Sequence, residues 1–441
     1  MQRRVVQSVL AGRDTLAVLP TGGGKSVCFQ VPAIALPGLT VVVSPLLSLM
    51  QDQVEAALRR GMPAAALNSA QEGAERVAVL EAIRAGALRL LYVSPERLER
   101  LAGELTAMGA PVSLLAVDEA HCISEWGHDF RPSYRLLLAA RIRLRRPAVV
   151  ALTGSATPEV REDIAHSLRL GQAGPAGRYD LHLDSFDRPN LWFGVQRVKT
   201  DRDRFRALLD LLAPRQGTAI VYAPTRRITE GLAQSLHLAG FRSASYHAGL
   251  ERERRHEVLH RFLSGGLDVV AATSAFGMGI DKPDVRVVVH WMTSPTPESY
   301  YQEAGRAGRD GAPARCVLLF GQGDAELHRR QLDVTFPPER ALRAAWADPA
   351  AMARLPSNVR ESVERLRKEL RPEVGTVDWG RLRGRRRRAA ARIRAMERYA
   401  TTRGCRRAEL LRYFGEHLDR CTGCDRHPGE CRGPRLPRKR Q

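Results

Sequence analysis

The segment Pro20-Thr21-Gly22-Gly23-Gly24-Lys25-Ser26 joins three consecutive glycines to a cation and a hydroxyl. Glycines let backbone N–H groups turn inward on phosphate oxygens, and a helix opening just beyond adds partial positive charge from its N-terminus. In that setting Lys25 reaches the β- and γ-phosphates of a nucleotide and Ser26 offers its hydroxyl to Mg²⁺, with Thr21, Gly22, Gly23 and Gly24 completing the cradle. The strict pattern has glycine where this chain has Leu19. Further along, the apolar run Leu114–Val117 delivers Asp118-Glu119-Ala120-His121. The carboxyl edge of a parallel sheet is where α/β proteins bind ligands. Asp118 there can hold Mg²⁺, and Glu119 can orient and activate the attacking water. Loop and acidic pair together predict an NTPase.

A second chemistry sits near the other end. Of seven cysteines, Cys405, Cys421, Cys424 and Cys431 crowd together, whereas Cys28, Cys122 and Cys316 are scattered in apolar or loop contexts. Clustering of that kind in an intracellular chain reads as metal before disulfide. The charge balance adds a partner class. Sixty-nine Lys and Arg against 48 Asp and Glu leave +21 over 441 residues, which attracts polyanions, nucleic acid first and anionic membrane second. Nine arginines and one acid, Glu397, fall between Arg381 and Arg398, a run read as a phosphate-facing surface. No apolar run is long enough for a membrane span, and Arg13-Asp14 interrupts the start before a secretory core can form. An intracellular, cytoplasmic protein is expected, with no membrane partner.

The elements that must carry these residues are legible in outline. Short β-branched runs recur at Thr15–Leu19, Thr40–Ser44, Leu88–Val93, Leu114–Val117, Val149–Leu152, Ala219–Tyr222, Asp268–Ala272, Val285–His290 and Cys316–Phe320. Several are apolar throughout, which suits strands covered on both faces. Helical stretches such as Leu46–Arg60, Gly73–Ala85 and Thr225–Leu238 lie between them, so an α/β fold with right-handed crossovers is expected. The flexible Gly171–Gly177 segment separates two groups of strands, predicting two α/β domains with a cleft between them. After Phe320 the strand signal fades into polar helix broken by prolines, and the chain from Arg432 to Gln441 reads as a basic, disordered tail.

Asp118-Glu119-Ala120-His121 with the glycine loop resembles the superfamily 2 helicases. Its extension, Cys122-Ile123-Ser124-Glu125-Trp126-Gly127-His128-Asp129-Phe130-Arg131-Pro132, resembles the aromatic-rich loop of the RecQ DNA helicases. Further landmarks follow in that family's order: Ser44-Pro45-Leu46-Leu47-Ser48, Ser94-Pro95-Glu96-Arg97, Thr153-Gly154-Ser155-Ala156-Thr157, Tyr246-His247-Ala248-Gly249-Leu250, Gly277-Met278-Gly279-Ile280-Asp281 and Gln302-Glu303-Ala304-Gly305-Arg306-Ala307-Gly308-Arg309. The match covers residues 2 to about 320 and returns at 396–427.

The resemblance implies two tandem RecA-like parallel-sheet domains followed by a small helical zinc-binding module. The expected divisions are 1–180 and 181–323 for the two domains and 324–384 for a helical insertion of unassigned role. Arg-rich helices and the zinc module take 385–431, and the tail 432–441. It implies ATP as fuel, with Gln2 closing an adenine-reading segment and Gly279 and Asp281 near the nucleotide. His121 and Gln302 join the candidate catalytic set. Arg306 and Arg309 are three apart, so a helical stretch would put them on one face, while Gln302 and the three glycines nearby suggest a tight ligand-facing turn; they would reach across the cleft to the γ-phosphate. Trp126, His128, Phe130 and Arg131 would stack and grip single-stranded bases, while Ser44, Ser94, His247 and Thr273 touch the strand backbone. Zn²⁺ would take Cys405, Cys421, Cys424 and, where the family has cysteine, His427, with Cys431 competing. The expected activity is a 3′→5′ DNA helicase in recombination and repair. It would be a monomer working with the nucleoid on single-stranded and tailed or forked duplex DNA beside single-strand-binding protein. Because the chain stops soon after the zinc module, a short form without winged-helix or later domains is expected. The competing readings are an RNA helicase, a non-unwinding DNA-binding or annealing protein, and a generic regulatory ATPase.

Overall fold

The computed structural model describes residues 1–20, 22–45, 47–68, 71, 73–127, 129–172, 177–214, 217–277, 280, 282–369 and 378–427. Contacts divide the chain into two compact units. The first is Met1–Arg188 with Gly277–Asp281 and Phe414–Glu416, and the second is Pro189–Phe276 and Lys282–Tyr413 with the described residues from His417 on.

In the first unit β1 (Thr15–Val18), β2 (Leu39–Val43), β3 (Ala64–Leu67), β4 (Leu90–Val93), β5 (Val112–Val117), β6 (Ala148–Thr153) and β7 (Asp180–Leu183) form one parallel sheet in the order β3-β4-β2-β5-β6-β1-β7. In the second, β8 (Leu191–Arg197), β9 (Thr218–Tyr222), β10 (Ser243–Tyr246), β11 (Val269–Ala272), β12 (Val285–His290) and β13 (Ala314–Phe320) form another, in the order β10-β11-β9-β12-β13-β8. The central strands are buried on both faces, which is why they read as unbroken Val, Leu and Ala runs. Each sheet has its own core, around Val42, Tyr92 and Leu152 in one and Leu208, Val221 and Val289 in the other.

β7 pairs with β1 from Asp180 to Leu183, so a division at 180/181 would cut an edge strand from the first sheet; the units part at Arg188 and Pro189. Likewise the expected division at 384/385 falls inside one continuous helix, Trp379–Thr401. The 324–384 segment forms the helices Asp324–Thr335, Glu339–Ala347, Pro349–Ala353 and Ser357–Glu369, which with the start of Trp379–Thr401 enclose a small separate core. Leu342, Ala345, Met352, Val363, Leu366 and Leu382 form it, against Phe336, Trp346 and Trp379. Buried Arg204 fastens this segment to the second sheet, donating to Asp324 at 2.8 Å and to the Leu319 carbonyl at 2.9 Å.

Phe414–Glu416 packs within the first unit although its neighbours in sequence belong to the second. Phe414 stacks on Phe186 with centroids 4.4 Å apart, and Glu416 accepts the Phe186 N–H at 2.7 Å and the Ser185 hydroxyl.

One buried ion pair ties the first sheet at the end remote from the glycine loop. Asp14 takes two bonds from Arg141, at 2.7 and 2.8 Å, and the N–H groups of Val149 and Gly171 at 2.9 and 2.8 Å. Removing one partner of such a pair strands the other charge in the interior. Asp14→Ala is expected to cost about 3–5 kcal/mol in urea unfolding, and a loss under about 1 kcal/mol would show that the pair contributes no more than an exposed ion pair does.

Candidate functional site

The glycine loop leaves the carboxyl end of β1 and runs into the helix Val27–Ala35. Leu19 donates to the Thr153 carbonyl at 3.0 Å, so the ends of β1 and β6 are in register, and β5 pairs with the other side of β6. Lys25, Thr153 and Asp118 therefore sit at one edge of three adjacent strands. Within the loop Gly23 N–H closes on Pro20 O at 2.9 Å, and Gly22 and Gly24 adopt φ +83° and +66°, a region that strains any side chain. The Gln2 amide donates to the Gly23 carbonyl at 2.8 Å, placing it on the loop itself. Thr21 lies outside the described residues. The glycine turns, half-buried Lys25 and the helix start after Ser26 fit a nucleotide's phosphates.

Asp118 follows β5, its N–H held by Val43 O at 2.9 Å and its carboxylate by the Glu119 N–H at 2.9 Å. Burial raises its pKa to about 6, helped by the neighbouring Glu119 charge and opposed by Lys25. A cation bound there would draw it back down, since positive charge favours the ionised form. Glu119 itself takes φ +46°, ψ +48°, a left-handed conformation that costs a non-glycine residue about 1–3 kcal/mol. His121, fully enclosed, faces both Glu119 at 3.3 Å and the Thr153 hydroxyl at 3.0 Å through Nδ1. Burial opposes its protonation, but Cys122 and Glu119 hold its pKa well above the ordinary histidine value.

The aromatic-rich segment is the direct continuation of this strand end. Cys122 Sγ lies 3.8 Å from Asp129 Oδ2, Arg131 pairs with Asp129 at 3.3 Å, and Arg131 also donates to Pro45 O at 2.8 Å. Trp126 is 46% exposed rather than half of a buried aromatic pair. Phe130 is half-buried under the Arg135 guanidinium, 5.1 Å from its centroid. His128 lies outside the described residues. Ser44 and Ser94 end β2 and β4, 1% and 5% exposed, and neither hydroxyl has a partner among the described residues. A buried unmet hydroxyl costs about 1–3 kcal/mol, and these two lie at one sheet edge.

In the second unit His247 is buried, with Nε2 engaged by Glu230 at 2.9 Å and Nδ1 unpartnered among the described residues. Thr273 follows β11 and accepts the Ala275 N–H at 3.4 Å. Gln302 lies on the helix Pro297–Ala304, which stops before the arginines. Arg306 and Arg309 thus occupy a turn, as the glycines around them suggest, and not a helical face. Gly308 at φ +54° explains the turn: an added Cβ would come within 2.5 Å of Asn190 Nδ2 and 2.7 Å of Ala312 O. Gly279 and Asp281 lie outside the described residues.

Cys405, Cys421 and Cys424 bring their sulfurs within 4.8 Å of one another, with Cys405 and Cys424 3.9 Å apart. Two thiolates on a tetrahedral zinc with bonds of about 2.3 Å stand about 3.8 Å apart, whereas a disulfide holds its sulfurs at about 2.05 Å. The residues fit zinc. The His427 backbone N–H donates to Cys424 Sγ at 3.4 Å, but its exposed ring is not among the converging ligands of the described residues. Cys431 lies outside them. Asp425 anchors this knuckle, pairing with Arg406 at 3.0 Å and donating its N–H to Phe193 O on β8 at 3.0 Å. Sequence reasoning passed over Tyr134, just past the aromatic-rich segment, whose hydroxyl holds Asp118 O at 3.1 Å, and Thr153, which lies in a quoted motif. Glu230 had no local signal, since only packing brings it to His247.

Family profiles match the same pieces. A DEAD/DEAH box helicase domain covers residues 1–164, a helicase conserved C-terminal domain 203–311 and a RecQ zinc-binding domain 362–427. The chain is 36% identical over 427 residues to an ATP-dependent DNA helicase RecQ of Pasteurella multocida, covering 96% of this chain and 59% of that one. The chain belongs to the RecQ family. It is also 44% identical over 331 residues to a probable ATP-dependent DNA helicase RecS of Bacillus subtilis, covering 75% of this chain and 65% of the relative. The chain thus spans less than two thirds of the length of these RecQ-family relatives. Among solved structures, the helicase Lhr of Mycobacterium smegmatis bound to ssDNA and AMP-PNP shares the fold with TM-score 0.57 at 21% identity, over 90% of this chain and 55% of that one. Among the described residues no helix is long and apolar enough to cross a membrane.

Proposed function

We propose that this chain is an ATP-driven motor that moves 3′→5′ along single-stranded DNA and separates duplex ahead of it. The observation that carries the reading is the continuity of β5, Asp118-Glu119 and the aromatic-rich segment. His121 faces Glu119 and Thr153, and Cys122, next in the chain, meets Asp129. A base stacking on Trp126 therefore pulls on the same short stretch that sets the Glu119 carboxylate. Lys25 and the glycine N–H groups would hold the phosphates of ATP, and Ser26 and Asp118 would hold Mg²⁺, which neutralises phosphate charge. Glu119 orients the attacking water and takes its proton, and Arg306 and Arg309 are the candidates for stabilising γ-phosphate charge. Zn²⁺ on the three thiols and one further ligand has a structural role.

The names of the relatives, ATP-dependent DNA helicases, support the substrate class, and polarity rests on family resemblance. On this reading the chain works as a monomer with the nucleoid in the cytoplasm, on single-stranded and tailed or forked duplex DNA, beside single-strand-binding protein, in recombination and repair. The test is ATP-dependent strand displacement on 3′-tailed and 5′-tailed duplexes, with Lys25→Ala alongside. Displacement from the 3′ tail alone, lost in Lys25→Ala, is expected. Equal stimulation of hydrolysis by RNA would indicate an RNA helicase, strand annealing without ATP a non-motor protein, and hydrolysis indifferent to nucleic acid a regulatory ATPase.

A further inference from the structure

The nine arginines between Arg381 and Arg398 do not act as one cationic face. They lie on the helix Trp379–Thr401, and several are consumed inside the second unit. Arg385 pairs with Glu369 at 2.7 Å, Arg386 with Asp333 at 2.5 Å and Arg392 approaches Glu298 at 4.0 Å. The only acid of the run, Glu397, is taken by Arg329 at 2.5 Å.

The arginines left at the surface form a pattern. Arg383, Arg387, Arg394 and Arg398 are all exposed, and at 3.6 residues per turn they fall within an arc of about 60°. Arg383 shares Glu339 at 3.0 Å and Arg398 lies 4.0 Å from Glu409, while Arg387 and Arg394 meet no acid among the described residues. At about 1.5 Å per residue the stripe is two pairs, each about 6 Å long, separated by about 10 Å. Ala390 and Ala391 floor the gap. That separation is close to the about 12 Å width of a B-DNA major groove, so the pairs can meet phosphates on its two sides. Among the described residues the face carries no exposed aromatic: Tyr399 is buried, and Trp379 packs on Trp346 with centroids 5.7 Å apart. Single strands are held by stacking platforms as well as charge, and this surface offers charge alone.

We infer that Arg383, Arg387, Arg394 and Arg398 form a docking surface for the phosphate backbones of double-stranded DNA. The inference rests on the DNA-motor reading above and assigns the duplex side of the substrate to this helix. Its contacts are sequence-independent, so they should appear as salt dependence.

The test is the full chain carrying Arg387→Gln and Arg394→Gln, titrated onto a labelled blunt duplex and a single strand of equal length across a series of NaCl concentrations. Duplex affinity should fall about tenfold near 0.1 M salt, and the slope of log K against log salt should become shallower by about 2. Single-strand affinity and single-strand-stimulated ATP hydrolysis should stay at the parent value, as should the thermal unfolding midpoint. The Arg387→Lys, Arg394→Lys pair, which keeps the charge, should restore duplex binding. Unchanged duplex affinity, or an equal loss on both DNAs, would overturn the assignment. Hydrolysis that ignores DNA in the parent chain would sink the motor reading instead and leave the duplex comparison standing.

Discussion

Glu119→Gln is expected to lower the rate of ATP hydrolysis about 10²–10⁴-fold, the range for losing a positioned general base, while nucleotide affinity stays within about threefold of the parent, about 0.7 kcal/mol. Glutamine keeps the size and the left-handed backbone of Glu119 at φ +46° but cannot take a proton. It also weakens the contact with His121 at 3.3 Å, so stimulation by single-stranded DNA should fall with the chemistry. Single-turnover hydrolysis alongside nucleotide titration separates the two effects, and hydrolysis within tenfold of the parent would remove Glu119 from the role. A second variant reads the strain. Glu119→Gly should abolish hydrolysis yet raise unfolding stability by about 1 kcal/mol, because glycine occupies the left-handed region without penalty. A purely structural Glu119 would lose stability in both variants.

Stripping zinc, by chelation or by Cys421→Ser, is expected to unfold the knuckle 421–427 and lower the thermal midpoint of the second unit. Structural zinc contributes about 10–16 kcal/mol of binding free energy to small zinc-finger peptides. Even a fraction of that exceeds what the knuckle's own contacts supply, chiefly Asp425 with Arg406 at 3.0 Å and the Asp425 N–H on Phe193 O at 3.0 Å. Metal analysis should find one zinc per parent chain and none after Cys421→Ser. His427→Ala and Cys431→Ala then decide the fourth ligand: the true one should release zinc to a weak chelator, and the other should retain it. A midpoint unmoved by zinc removal would falsify the structural role.

The sequence exposes the fold wherever burial on both faces leaves an unbroken apolar run. All nine expected strands are present, at or within a few residues of the expected positions. Four further strands went unread for separate reasons. β3 is Ala64-Ala65-Ala66-Leu67, and alanine signals helix as readily as strand. β7 is an edge whose Leu181 and Leu183 face outward, β8 is broken by Gly194, and β10 holds two serines. The site was legible where chemistry is local in sequence: the glycine loop, Asp118-Glu119, the aromatic segment and three sulfurs. It was not legible where long-range packing decides. Glu230 reaches His247, and acids drawn from other helices neutralise part of the arginine run.

The placement of Phe414–Glu416 in the first unit bears on how the chain is born. Phe186 leaves the ribosome early, and the partner that stacks on it at 4.4 Å is more than two hundred residues behind. At translation speeds of about 5–20 residues per second, the nascent first unit waits roughly 10–45 s with that ring and the Phe186 N–H uncovered. Completion of the first unit is therefore a late event of synthesis, and a chain released before Glu416 would leave it unfinished.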